Sequence, residues 1–116
     1  MTEKAKEELS RICRIIERTV DVEKIYLFGS YAYGTPNEES DYDLCVLIPE
    51  QTMRPAEAVK RIRRALFTVQ TTPLDVIAYR TEVFQQRQAQ PSLERKIAQE
   101  GVILYERQRE MEQRMA

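Results

Sequence analysis

Apolar residues recur at Leu9, Ile12, Cys13, Ile16 and Val20, with Arg11, Arg14, Glu17 and Arg18 between them, and this period predicts an amphipathic helix from Glu3 to Thr19. The pattern then changes. Lys24 to Phe28 is apolar at both parities, as in a strand covered on both faces, and it stops at Gly29-Ser30. Tyr31 to Ser40 carries Gly34, Pro36 and Asn37 and reads as loop, its first residues opening a short helix with Ser30 near the cap. From Asp41 the run Asp-Tyr-Asp-Leu-Cys-Val-Leu-Ile gives a second, central strand that Pro49 closes. Pro55, followed by Val59, Ile62, Leu66 and Val69, predicts a second helix whose Lys60, Arg61, Arg63 and Arg64 lie outside the apolar seam. Pro73 introduces a third strand, Leu74 to Tyr79. A helix around Glu82 to Arg87 follows, then a break at Pro91. A further helix from Ser92, with Leu93 and Ile97 on one side, ends at Gly101, and Val102 to Tyr105 is a fourth short strand.

Helices alternating with short apolar strands predict an α/β domain. A chain of 116 residues, 42% of them hydrophobic, has enough apolar side chains for one core and too few residues for two. The domain is expected over residues 1–105. Residues 106–116 are charged or Gln-rich apart from two methionines, and read as a solvated or partner-stabilised helix or a tail.

Charge and composition narrow the chemistry. Eighteen basic side chains against nineteen acidic ones leave a net charge of −1, so no polybasic field makes a nucleic-acid backbone the default partner. With no histidine, Ser-His-Asp and Cys-His catalysis and imidazole zinc sites are excluded. Cys13 and Cys45 sit in apolar patterns far apart and read as small core residues in a reducing compartment. No apolar run approaches the length of a membrane span, and a cytosolic protein is expected. The basic run Lys60-Arg61-Ile62-Arg63-Arg64 reads as the wet side of a helix, and Tyr26 and Tyr79 as strand packing.

The acids are harder to place in so plain a scheme. Asp75 is flanked by Leu74, Val76, Ile77 and Ala78, so a carboxylate emerges from an apolar strand and needs a partner. Asp41 and Asp43 point to one side of their strand, about 6.6 Å apart by strand geometry. At an effective dielectric near 20 their repulsion is of order 2.5 kcal/mol. With no nearby His or Cys to relieve it, the expected compensation is a hard divalent cation, with Mg²⁺ the default. Carboxylates holding Mg²⁺ beside a small-residue turn whose N–H groups can approach phosphate are the machinery of phosphoryl or nucleotidyl transfer.

Leu27-Phe28-Gly29-Ser30, ten intervening residues, Asp41-Tyr42-Asp43-Leu44, and later Leu74-Asp75-Val76 resemble the Gly-Ser-x10-Asp-x-Asp signature and third acid of the DNA-polymerase-beta-type nucleotidyltransferases. Length and order are similar to the minimal nucleotidyltransferases (MNT), the MntA-like antitoxins paired with HEPN toxins. The resemblance covers Ile25 to Tyr105. It implies a mixed sheet of about four strands flanked by helices. It also implies that Gly29 and Ser30 hold nucleotide phosphates, that Asp41 and Asp43 bind Mg²⁺, and that Asp75 completes the metal site and helps activate an acceptor hydroxyl. Members often carry an Arg shortly after the Gly-Ser, where this chain has Tyr31-Ala32-Tyr33-Gly34.

The function so implied is Mg²⁺-dependent transfer of AMP from ATP to a hydroxyl of a partner protein, a HEPN RNase toxin encoded nearby, which is thereby neutralised. The chain leaves no residues for a second, acceptor-holding domain, which favours a protein acceptor. The alternative is an antitoxin that inhibits by stoichiometric binding, its acids vestigial or structural. A third reading is a small-molecule transferase formed when two copies create an acceptor cleft. Homo- or hetero-oligomerisation stays open.

Overall fold

A computed structural model describes residues 1–34, 36, 40–69 and 72–108. Its elements are α1 (Glu3–Thr19), β1 (Lys24–Phe28), α2 (Ser30–Tyr33), β2 (Tyr42–Ile48), α3 (Pro55–Leu66), β3 (Leu74–Arg80), α4 (Thr81–Gln88), α5 (Leu93–Glu100) and β4 (Val102–Glu106). The strands form one sheet in the order β3-β2-β1-β4. β1 runs antiparallel to both β2 and β4, whereas β2 and β3 are parallel, so the sheet is mixed as expected.

The two-parity apolar strands are buried on both sides. Ile25 and Leu27 of β1 and Tyr42, Leu44, Val46 and Ile48 of β2 face a core completed by Leu9, Ile12 and Ile16 of α1 and by Ala58, Ile62 and Leu66 of α3. Tyr26, Cys45 and Leu47 face the other way, onto Phe84 of α4 and Ile97 of α5. Tyr26 stacks on Phe84 with centroids 5.7 Å apart and Tyr79 meets the same ring edge-on, so both tyrosines are packing residues. Cys13 and Cys45 are free and buried, and burial pushes each thiol up to about 12. No helix among the described residues is long and apolar enough to cross a membrane.

Each face also carries one buried carboxylate that ties a helix to a strand tyrosine. Glu8 of α1 accepts from the Tyr42 hydroxyl at 2.9 Å, from the Thr72 hydroxyl at 2.9 Å and from the Thr72 N–H at 3.3 Å. On the other face the Tyr79 hydroxyl donates to buried Glu94 of α5. Burial, reinforced by the neighbouring carboxylate, holds Tyr42 and Tyr79 protonated, each at about 12.

Some expectations shift. Val69 is not in the helical seam: α3 ends at Leu66, before the β-branched Thr68 and Val69, and Val69 is 51% exposed in the turn that follows. Leu93 is 49% exposed because it is the first residue of α5, and Glu94 with Ile97 makes the buried contact. The short helix expected after the turn is present, with Gly29 as its N-cap and Ser30 as its first residue. The last strand runs one residue further, to Glu106, and the Arg107 N–H donates to the Glu23 carbonyl at 2.9 Å. The remainder of the expected tail, 109–116, lies outside the described residues, as do Thr35 and Asn37–Glu39 of the expected loop.

Replacing Glu8 by Ala leaves the buried Tyr42 hydroxyl without its acceptor, and urea unfolding is expected to show a loss of about 2 to 3 kcal/mol. Adding Tyr42→Phe to that variant should cost much less than in the wild-type background, because the two side chains share one bond.

Candidate active site

β1 ends at Phe28, and the chain turns at Gly29 with φ 76° and ψ −158°, a backbone region almost confined to glycine. A Cβ at Gly29 would lie 2.1 Å from Oδ2 of Asp43, so the turn presses its backbone onto a carboxylate of the next strand. The juxtaposition follows from the ladder. Phe28 pairs with Asp43 across β1 and β2, and Asp43 pairs with Asp75 across β2 and β3. Partners in a parallel ladder project to the same face, here the face of Cys45 and Leu47, and the two acids sit at the leading ends of both strands. Asp41 stands just ahead of β2.

The electrostatics agree with this placement. Burial pushes the Asp43 carboxyl above its ordinary range, and the charges of Asp75 and then Asp41 push it further. Tyr42, between the acids in sequence, points to the opposite face, where Glu8 clamps it. Thr72, held by the same carboxylate, fixes the entry to β3. One buried glutamate therefore ties together the starts of the two strands that carry the acids.

Asp75 emerges from its apolar strand and finds a partner, as expected, but it does so at the edge of the sheet. β3 is an edge strand, and the Asp75 side chain is 65% exposed, with its Oδ1 3.7 Å from Nη2 of Arg63. Such a half-exposed pair contributes little to stability, but it brings α3 to the site. Arg63 also donates to the Leu74 carbonyl at 3.4 Å. The basic run is otherwise the wet helix face expected, with Arg61 paired to Glu57. Arg63 beside Asp75 was not legible, because nothing local in α3 encodes which strand its outer face meets.

The aromatics after Gly29-Ser30 divide. Tyr31 packs on Tyr42, ring centroids 4.7 Å apart. Tyr33 lies on the acid side: burial pushes its phenol up, and its hydroxyl is near enough to Glu100 and Asp43 for their charges to add to that shift. That hydroxyl is shielded from solvent and has no hydrogen-bond partner among the described residues. Nζ of Lys96, from α5, sits 4.8 Å from the Tyr33 ring centroid.

Among the described residues no group of three or more His, Cys, Asp or Glu side chains is placed so that it could hold a metal ion. The donor set nonetheless fits a hard divalent cation, being oxygen-only and including a carboxylate whose ionisation is disfavoured until positive charge arrives. A groove of about 630 Å³, lined by Lys24, Tyr26, Leu47, Pro49 and Phe84 among others, lies at the other end of the sheet and takes no part in this site.

The family model for polymerase beta nucleotidyltransferases matches residues 10–110, and the chain belongs to that family. Among curated proteins none matches significantly. Among solved structures, a Sulfolobus solfataricus protein classed as a candidate nucleotidyltransferase aligns with TM-score 0.63 at 17% identity, over 88% of this chain and 80% of that one. A toxin–antitoxin complex with AMP-PNP aligns with TM-score 0.50 at 26% identity, over 91% and 78%. The complex of a tri-AMPylated Shewanella oneidensis HEPN toxin with its MNT antitoxin aligns with TM-score 0.51 at 21% identity, over 91% and 76%.

Two outcomes follow from this geometry. Gly29→Ala should displace Asp43 and cost about 1 to 3 kcal/mol in thermal or urea unfolding, since both the backbone conformation and the space are denied to it. Because the folded state raises the Asp43 pKa, the folded protein holds that proton more tightly than the unfolded chain, and the metal-free protein loses stability as pH rises through the folded value. Asp43→Asn should therefore raise the Tm in EDTA at neutral pH by about 2 °C, with the gain disappearing below pH about 4.

Proposed function

We propose that this chain is a Mg²⁺-dependent nucleotidyltransferase that moves AMP from ATP onto a hydroxyl of a partner protein, a HEPN-type toxin, and so acts as its antitoxin in the cytoplasm. The observation that carries the reading is the parallel register that faces Asp43 with Asp75 beside the Gly29 turn. Family membership and a fold neighbour complexed with an AMPylated HEPN toxin support it.

In this reading Asp41, Asp43 and Asp75 would hold Mg²⁺, which supplies charge stabilisation at the attacking and leaving oxygens. Gly29 and Ser30 orient the triphosphate, because a glycine backbone lets the chain approach it closely. The acceptor oxygen forms a bond to the α-phosphorus, the bond from that phosphorus to the bridging oxygen breaks, and pyrophosphate departs. Asp75, the most open of the ladder pair, takes the acceptor's proton. Its position on the edge strand leaves it reachable by a side chain of another protein.

Incubation with α-labelled ATP, Mg²⁺ and the product of the adjacent reading frame should label that protein. The Asp41→Ala, Asp43→Ala double variant should lower labelling by about a hundredfold or more while retaining the wild-type circular dichroism. Undiminished neutralisation of the toxin by that variant would instead make the chain a stoichiometric binding antitoxin, and labelling of a soluble acceptor alone would make it a small-molecule transferase.

A further inference from the structure

A nucleotide triphosphate carries several negative charges, and the site as read above already holds three aspartates. The segment after Gly29-Ser30 supplies no cation, since residues 31–34 are Tyr-Ala-Tyr-Gly. The fold brings one from elsewhere. Residues of α5 pack against β1 immediately before the Gly29 turn: Ile97 is fully buried in the sheet's second core, and a Cβ at Gly101, which closes the helix, would come within 3.1 Å of the Leu27 carbonyl oxygen. That packing fixes the helix beside α2. Lys96, next to Ile97, extends over the Tyr33 ring with Nζ 4.8 Å from its centroid. Among the described residues Lys96, like several other basic side chains, makes no ion pair.

We propose that Lys96, seated on Tyr33, is the cation that binds the β- and γ-phosphates of the incoming nucleotide, supplied by a helix distant in the chain from the Gly29-Ser30 turn. The inference rests on the nucleotidyltransferase reading above and adds the residue that sets triphosphate affinity. The arrangement is physically coherent. The aromatic face keeps the ammonium over the turn without neutralising it, so its charge remains available to a phosphate oxygen. Through Tyr33, whose N–H donates to the Gly29 carbonyl at 2.9 Å, Lys96 lies on the side of the Gly29-Ser30 turn, whereas Arg63 lies beside Asp75. The two basic side chains thus bracket the acid row, one toward the nucleotide and one toward the acceptor.

Calorimetric titration with AMP-PNP and with AMP, each with Mg²⁺, tests this. Lys96→Gln is expected to weaken AMP-PNP binding about tenfold, the loss of one charge-assisted contact, while leaving the AMP affinity unchanged because AMP lacks the outer phosphates. Lys96→Arg should retain wild-type affinity. In labelling assays Lys96→Gln should raise the KM for ATP by a similar factor with little change in kcat. Lys96 is exposed, so both variants should melt with the wild type. Equal AMP-PNP affinity for Lys96→Gln and wild type, or equal loss for AMP-PNP and AMP, overturns the proposal while the nucleotidyltransferase reading stands. Failure of the wild-type protein to take up AMP-PNP overturns both.

Discussion

The parallel pairing of β2 with β3 is the constraint on which the site depends. Side chains alternate along a strand, so a slip of one residue in that ladder would send Asp75 to the α1–α3 face while Asp43 stayed where it is. The register is held by more than its backbone bonds. Leu74, Val76 and Ala78 of β3 pack against the same core as Leu44 and Val46 of β2, and Glu8 grips the approach to both strands through Tyr42 and Thr72. The buried carboxylate is stabilised by the hydrogen bonds it accepts from Tyr42 and Thr72.

A second consequence of this register is electrostatic. Facing two carboxylates and adding a third close by raises the Asp43 pKa, and a small metal-free domain tolerates this because Asp75 is on an edge strand in contact with water and with Arg63. Fold stability and site chemistry therefore pull in opposite directions at Asp43. The rest of the molecule compensates with two well-filled cores on either side of the sheet, each sealed by a tyrosine–glutamate bond. A cation at the acids relieves the same repulsion, which is why oxygen-only ligation suits this end of the sheet.

The glycine turn completes the arrangement from the β1 side. Because Phe28 pairs with Asp43, the residue after Phe28 must pass over that carboxylate, and only a residue without Cβ fits. Turn and acids are consequently one structural unit, although ten residues separate Ser30 from Asp41 in the chain. The basic side chains that flank the unit, Arg63 and Lys96, come from helices packed on opposite faces.

Much of this was written in local pattern. Apolar residues at both parities in Lys24–Phe28 and Leu44–Ile48 required a doubly covered sheet, prolines and Gly101 marked the boundaries, and the spacing of Gly29-Ser30, Asp41, Asp43 and Asp75 identified the candidate site and the family resemblance. Side-chain alternation and steric limits act over a few residues, so the sequence by itself determined these features. The exposure of Asp75 on an edge strand, the pairing that faces it with Asp43, the Glu8 clamp, and the placement of Arg63 and Lys96 were decided only by the tertiary structure. These depend on which strand lies at the edge and which helix covers which face. Such choices are settled by packing between segments distant in the chain, and no local window of residues contains both sides of them.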